Sequence, residues 1–334
     1  MSIVEHVNNE TAAVPWILPI RDSLGDGSSI ELVETRLSWI VLTPQHAYKI
    51  KKPVDVGECR HRSLQARHRS CTDEYWLNQP LAPGVYIGVL PIVRDSTGVL
   101  ALNGKGETVE WVLKMRRLQS ERNLLRLIRN GEAAAHQITA LAQTLANFYH
   151  ARPPKTDGYD DLAIRLQRRV SEAAQHLKTM LPATFADSIQ RVLTAQLRYL
   201  ESSRPLLTSR VCDGRVVDGH GDLRPEHVFL ERRPIVIDCI EYSPALRKLD
   251  ALDDLCLLAM ECERLDRQDI AAEILGQYSR TTGDIGLSKL EAFYKSLHAI
   301  ASRSPAFNRR PNGHEPTEAI ACLRQARQYL PMFA

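Results

Sequence analysis

No apolar run in this 334-residue chain approaches the length of a membrane span, so no helix is expected to cross a bilayer. The opening residues Met1-Ser2-Ile3-Val4-Glu5-His6 lack both the basic start and the apolar stretch of a secretory leader. Cysteines number seven, an odd count, and none stands in a CxxC pair or at metal-ligand spacing. That argues against a disulfide framework and for reduced thiols, hence for a cytoplasmic protein. The formal charge of +3 is too small to imply a nucleic-acid partner by itself. There is no GxxxxGK[ST] segment, no glycine-rich loop and no internal repeat. What remains is a chain long enough for two lobes and a large core.

Against that background one stretch stands out: Asp218-Gly219-His220-Gly221-Asp222-Leu223-Arg224-Pro225-Glu226-His227, with three acids and two histidines. Two apolar triplets follow, Val228-Phe229-Leu230 and Ile235-Val236-Ile237, separated by Glu231-Arg232-Arg233-Pro234. Polar residues with a proline between such triplets read as a four-residue hairpin loop. If Leu230 pairs with Ile235, then Val228 pairs with Ile237 and His227 falls opposite Asp238. Directly opposed residues have Cβ atoms about 4.5–5.5 Å apart, so an imidazole and a carboxylate converge at the open end. Asp222, five residues before His227, lies on the loop leading into that end. The expected cluster is Asp222, His227 and Asp238; the plainer alternative is a surface hairpin with polar ends.

Taken in order, the chain opens on a mixed segment ending in the loop Leu24-Gly25-Asp26-Gly27. Ile30 to Val33, Trp39 to Leu42 and Ala47 to Ile50 are strand-like, with Thr43-Pro44-Gln45-His46 turning between the last two. Alternation places Lys49 and Lys51 on one face of their strand and Tyr48, Ile50 and Lys52 on the other. The basic run from Arg60 to Arg69 leads into a helix ending near Asn78 and reads as a solvated face, since no aromatics interleave with it. Further strands are expected at Val85 to Ile92 and Glu110 to Met115. From Arg117 the pattern turns helical: Ile138, Leu141, Ala142, Leu145 and Phe148 follow a 3.6-residue period, as do Leu166, Val170, Ala174, Leu177 and Leu181. More helices are expected at Asp187–Leu200, Leu249–Arg264, Gln268–Thr281, Leu287–Ser302 and Thr317–Leu330, with a proline-bearing loop at Ser304–Pro316. A β-rich lobe over 1–116 and a helical lobe over 117–334 holding one hairpin give an α+β architecture with a cleft between lobes.

His220-Gly221-Asp222, a ligand five places after the aspartate, then a strand ending in Asp238 resemble the catalytic and metal segments of protein-kinase-like folds. The histidine-glycine-aspartate form is similar to that of the aminoglycoside phosphotransferase-like kinases. Glu34-Thr35-Arg36-Leu37-Ser38-Trp39, Ala47-Tyr48-Lys49-Ile50-Lys51-Lys52-Pro53-Val54, Met115-Arg116-Arg117 and Asp238-Cys239-Ile240-Glu241-Tyr242 resemble one bacterial branch of them, sometimes fused to a P-loop kinase domain. The resemblance spans about residues 30 to 265. It implies a two-lobed fold and ATP-dependent transfer of phosphate to the hydroxyl of a small molecule, with Mg²⁺ or Mn²⁺. Asp222 would accept or orient the hydroxyl proton, and His220 would order the catalytic loop. Asp238 would hold the metal. Lys49, held by Glu74, would contact the α- and β-phosphates. Thr35 and Ser38 would bound a loop over the phosphates, and Met115 would lie at the adenine-pairing hinge. Asp253 and Asp254 are open to two roles, loop support or the blander one of capping a helix.

At one position the pattern departs. His227 stands where such kinases have asparagine, and imidazole suits Mn²⁺ or Zn²⁺ better than Mg²⁺. Asp238 with His227 as an outer donor, or a direct His227 ligand to Mn²⁺, would serve phosphoryl transfer. Two alternatives stay open: a nucleotide-binding module without transfer, and a divalent-metal phosphohydrolase built from His220, Asp222, His227 and Asp238. No nucleic-acid or membrane partner is expected. The acceptor and the oligomeric state are not legible.

Overall fold

The computed structural model describes residues 4–5, 15–23, 30–153, 162–301 and 316–334. Two compact units emerge. One holds the described residues up to Gln119 together with Glu241–Ser243; the other holds the described residues of 120–240 and those from Pro244 onward.

The first unit is an antiparallel sheet. Its seven strands run, in spatial order, Val4–Glu5, Glu31–Glu34, Ser38–Leu42, His46–Lys51, Glu107–Arg116, Tyr86–Arg94 and Leu100–Leu102. The apolar alternation anticipated from the sequence sets which side packs: Val41, Tyr48, Ile50, Ile92 and Val112 join Ile17 and Ile20 of a short helix, Ile17–Asp22, in one core. The helix Leu64–Asn78 starts where the Ser63 hydroxyl accepts from the Ala66 N–H, and packs against the two long strands. Its basic start is the solvated face expected only in part: Arg60, Arg62 and Arg69 are exposed, Arg67 is not. Arg67 is buried, its Nε donating to both oxygens of Glu110 at 2.9 and 3.0 Å, and His68 stacks on Trp111 at 3.9 Å between centroids. A bidentate partner 43 residues away cannot be read from a local charge run.

The second unit is mainly helical. Ala135–His150, Leu162–Met180, Ala186–Ser202, Ala251–Arg264, Gln268–Thr282, Ser288–Ala301 and Pro316–Phe333 lie close to the periodic stretches. The helix Arg204–Cys212 was not expected; its apolar positions are too few to show a period. Eleven of the 14 residues of Ala251–Arg264 are buried, so this is a core helix and its two inner acids need partners. Asp250 caps it, accepting from the Leu252 N–H at 2.9 Å, which leaves Asp253 and Asp254 for other work. The short strands Val216–Asp218 and Lys248–Asp250 pair beside it, and Val228–Leu230 pairs with Pro234–Val236. The expected loops at 24–27 and 304–315 lie outside the described residues, and Pro316 opens the last helix.

Candidate active site

In the sheet unit the strand alternation delivers both lysines to one carboxylate. Lys49 Nζ stands 2.7 Å from Glu74 Oε1, and Lys51 pairs with Oε2 of the same residue, while Glu74 is wholly buried on its helix. Lys51 also donates to Glu241 Oε1 at 2.5 Å, a residue the sequence reading left without a role. Ser70 donates to that same oxygen at 2.7 Å, and His61 Nε2 lies 2.9 Å from the Ser70 hydroxyl. Burial works against the charge of Glu241, but Lys51 and then Lys49 outweigh it and hold its pKa below the ordinary value. Burial works against Lys51 too, and its two carboxylates hold its pKa above the usual lysine range. Thr35 and Ser38 close a tight turn: the Ser38 N–H donates to Thr35 Oγ1 at 3.0 Å and the Thr35 N–H to the Ser38 carbonyl at 2.9 Å. Met115 is buried near the end of its strand, opposite Ala47 on one side and Tyr86 on the other.

In the helical unit the loop 219–222 is held largely by its backbone. Asp254 accepts from the His220 N–H at 2.7 Å with one oxygen and from the Gly221 N–H at 3.1 Å with the other, and Tyr149 donates its hydroxyl to it as well. Loop support is therefore the role of Asp254, and the capping expectation is corrected by one turn to Asp250. Burial raises the Asp254 pKa, with His220 working the other way. Asp253 does neither job; it pairs with Arg169 and with His298 at 2.7 Å. Both glycines are required. A Cβ on Gly219 would stand 2.8 Å from an Asp254 oxygen, and Gly221 has φ of +84°. The His220 ring donates from Nε2 to the Ile237 carbonyl at 2.9 Å and accepts from the Asp222 N–H on Nδ1 at 3.3 Å, which spends both nitrogens on holding the loop.

The hairpin register differs from expectation by one residue. Val228 faces Val236, Phe229 faces Ile235 and Leu230 faces Pro234, so His227 stands opposite Ile237, whose N–H donates to its carbonyl at 3.0 Å. The loop is Glu231-Arg232-Arg233; Pro234 serves as the first strand residue, a position that tolerates its missing N–H. A one-residue slip sends side chains to opposite faces, yet His227 Nε2 is 3.5 Å from Asp238 Oδ2. The backbone explains this: Asp238 has φ of 67°, a left-handed conformation that takes it off the strand path.

Asp222 is buried and accepts from Arg224 Nε at 2.5 Å, and Arg224 Nη1 donates to Glu261 Oε1 at 3.2 Å. Neither Arg224 nor Glu261 was singled out from sequence; the arginine sits two places after the aspartate, but its link to a helix 37 residues on has no local signature. Burial opposes the Arg224 charge, but Asp222, Glu261 and Glu226 outweigh it and raise its pKa.

The donor set suits a cation shared with another ligand. His227 Nδ1 lies 2.8 Å from the Asp222 carbonyl, which can only accept, so Nδ1 carries a proton, and Nε2 is the ring nitrogen on the side of Asp238 that a neutral imidazole would offer to a metal. Two ligands at right angles around a Mg²⁺-sized ion lie about 3 Å apart, close to the 3.5 Å found here. Among the described residues no group of three or more histidine, cysteine or acidic side chains is placed to hold a metal. Two protein ligands completed by phosphate oxygens and water fit Mg²⁺ or Mn²⁺, whereas a zinc hydrolase asks for three; nothing in the donor set supports the phosphohydrolase alternative.

No family model matches the chain. Uncharacterized proteins Rv2004c of Mycobacterium tuberculosis and Mb2027c of Mycobacterium bovis are each 30% identical over 282 residues, which is 82% of this chain and 54% of theirs. The chain thus spans about half the length of the curated relatives it matches. Among solved structures, a choline/ethanolamine kinase family protein from Mesorhizobium loti superposes with a TM-score of 0.55 at 14% identity, covering 96% of this chain and 92% of that one. A thermostable mutant of aminoglycoside phosphotransferase APH(4)-Ia, in ternary complex with ADP and hygromycin B, gives 0.56 at 12% identity over 96% of this chain and 99% of that one. The chain has the α+β, protein-kinase-like fold that these phosphotransferases share. No helix among the described residues is long and apolar enough to cross a membrane.

Proposed function

We propose that the protein is a metal-dependent phosphotransferase that moves the terminal phosphate of ATP to the hydroxyl of a small molecule. The observation that carries this reading is His227, which joins the two acids: its Nδ1 lies 2.8 Å from the Asp222 carbonyl, on a loop fixed by Asp254, and its Nε2 3.5 Å from Asp238. Neighbours of the same fold crystallised with ADP or AMP-PNP support nucleotide as the donor.

Each residue then has a task. Asp222 accepts or orients the acceptor hydroxyl proton, with Arg224 fixing its carboxylate. His220 is a loop-ordering residue, its ring nitrogens both engaged within the loop and hairpin. Asp238 and His227 hold the divalent ion, which when bound neutralises phosphate charge. Lys49 meets the phosphates, steadied by Glu74. The Thr35–Ser38 turn covers the phosphates, and Met115 lies against the base. The lobes at 1–116 and 117–334 divide the work into nucleotide covering and chemistry.

A nucleotide-binding module without transfer is the second reading, favoured by the Arg224 guanidinium already bonded to Asp222. Melting curves with and without Mg–ATP and Mn–ATP test the shared part. The expected result is stabilisation of about 2.7 kcal/mol at a hundredfold excess over Kd, abolished in Lys49→Ala and in Asp238→Ala. No shift with either metal would refute both readings.

A further inference from the structure

Lys51 holds a second carboxylate that steadying Lys49 does not require. Glu74 already offers one oxygen to each lysine, yet Lys51 is shared with Glu241, whose side chain also accepts from Ser70. The Lys51 and Glu241 side chains are 3% and 5% exposed, whereas Lys49 keeps 12%. Stability alone is a poor account of such a pair, because burying two charges costs about as much as their attraction returns. Fixing one arrangement of the chain is the better-attested use.

The place of Glu241 in the chain says which arrangement. It comes three residues after Asp238, and it groups with the sheet unit while the chain through Ile240 groups with the helical one. Upstream the segment is clamped by its backbone: the Ile240 N–H donates to the His220 carbonyl at 3.1 Å, and Arg247 Nη1 donates to the Ile240 carbonyl at 2.7 Å. Downstream it is clamped by Lys51. Between the hairpin and these clamps lies Asp238, in a left-handed conformation that a non-glycine residue keeps only when its surroundings enforce it.

We propose that Lys51 and Glu241 are a positioning pair for the metal ligand Asp238, and that Lys49 alone is the anion-contacting lysine. The proposal rests on the metal–nucleotide reading above. It divides between two lysines, two residues apart on one face, tasks that their sequence pattern does not separate.

The test uses the full chain and measures Mn²⁺ affinity at saturating ADP by electron paramagnetic resonance of free Mn²⁺. Metal-free ADP affinity by equilibrium dialysis and the melting temperature are measured alongside. In the paired variant K51M/E241L, apolar groups replace both charges, so melting stays close to wild type. Its metal-free ADP affinity is unchanged, while its Mn²⁺ affinity falls about tenfold or more, the usual cost of losing a group that orients a ligand. Glu241→Asp, which keeps the charge but shortens the arm, falls between, and Lys49→Met shows the reverse pattern, with ADP affinity lost. Wild-type Mn²⁺ affinity in K51M/E241L overturns the proposal, as does loss of ADP affinity in step with Mn²⁺. Should the paired variant fail to fold, unchanged Mn²⁺ affinity in Glu241→Asp overturns it equally. Wild-type protein that binds no Mn²⁺ with ADP refutes the underlying reading, and the pair's role with it, before any variant is made.

Discussion

The lysine cluster and the aspartate loop are built on opposite principles. In the sheet unit, side chains hold side chains: two lysines, Glu74, Glu241, Ser70 and His61 form a buried network balanced in charge. In the helical unit, backbone is held by side chains and by other backbone: Asp254 takes two loop N–H groups, and the His220 ring braces the Ile237 carbonyl and the Asp222 N–H. A charge network fails when a charge is lost. A braced loop fails when an acceptor is lost, whatever happens to net charge.

The largest expected effect is Lys51→Met alone. It leaves the buried Glu241 carboxylate without a cation and Glu74 with Lys49 alone, and chemical denaturation is expected to show a loss of about 3–5 kcal/mol, recovered in K51M/E241L. Loss without recovery would mean that Glu74 cannot be satisfied by Lys49. Next, Asp254→Ala leaves two buried N–H groups without an acceptor, a loss of about 3 kcal/mol by the same measurement. Asp254→Asn keeps an acceptor and is expected to cost less; equal losses would show that charge, not acceptor capacity, matters in the loop.

A pH titration separates the regions further. His61 is buried beside Lys51, and burial followed by that lysine pushes its pKa from 6.5 down to about 4. The unfolded chain therefore binds the extra proton between these values. The contribution is complete above pH 6.5 and lost as pH falls through 4, on the order of 3 kcal/mol between the limits. Glu241 acts in the same direction: its lowered pKa contributes stability above 4.5 that disappears as pH falls through the folded value. Denaturation curves from pH 8 to pH 4 are expected to flatten in His61→Asn; an unchanged slope would remove His61 from the network. The smallest effect belongs to Trp76→Ser, on the exposed face of the helix that carries Glu74. A change within about 0.5 kcal/mol is expected, and a larger one would mean that the helix is held from a side the network does not reach.

The same contrast explains what the sequence revealed. Strand alternation is a local rule, and it put Lys49 and Lys51 on one face; Glu74 as the partner of Lys49 came from the resemblance. Glu241 lies 190 residues from Lys51, so no spacing announced it. The hairpin triplets were legible, but their register depended on whether Pro234 belonged to the loop or to the strand, and tetrapeptide composition does not decide that. His227 and Asp238 meet for a reason other than the one reasoned: a left-handed residue compensates for the slipped register. The support of the loop stayed open between two roles because three acids, Asp250, Asp253 and Asp254, crowd one helix start, and only packing shows which one caps and which one holds the loop. The fold class was the most legible feature, since it follows from the order of periodicities.

The central claim is transfer chemistry through Asp222. Its most direct measurement is a screen of a small-metabolite pool with terminally labelled ATP, under Mg²⁺ and under Mn²⁺, comparing wild type with Asp222→Ala. A labelled product that forms with wild type and not with the variant is the result expected. A pool that stays unlabelled with both metals, or labelling that survives in Asp222→Ala, would contradict it.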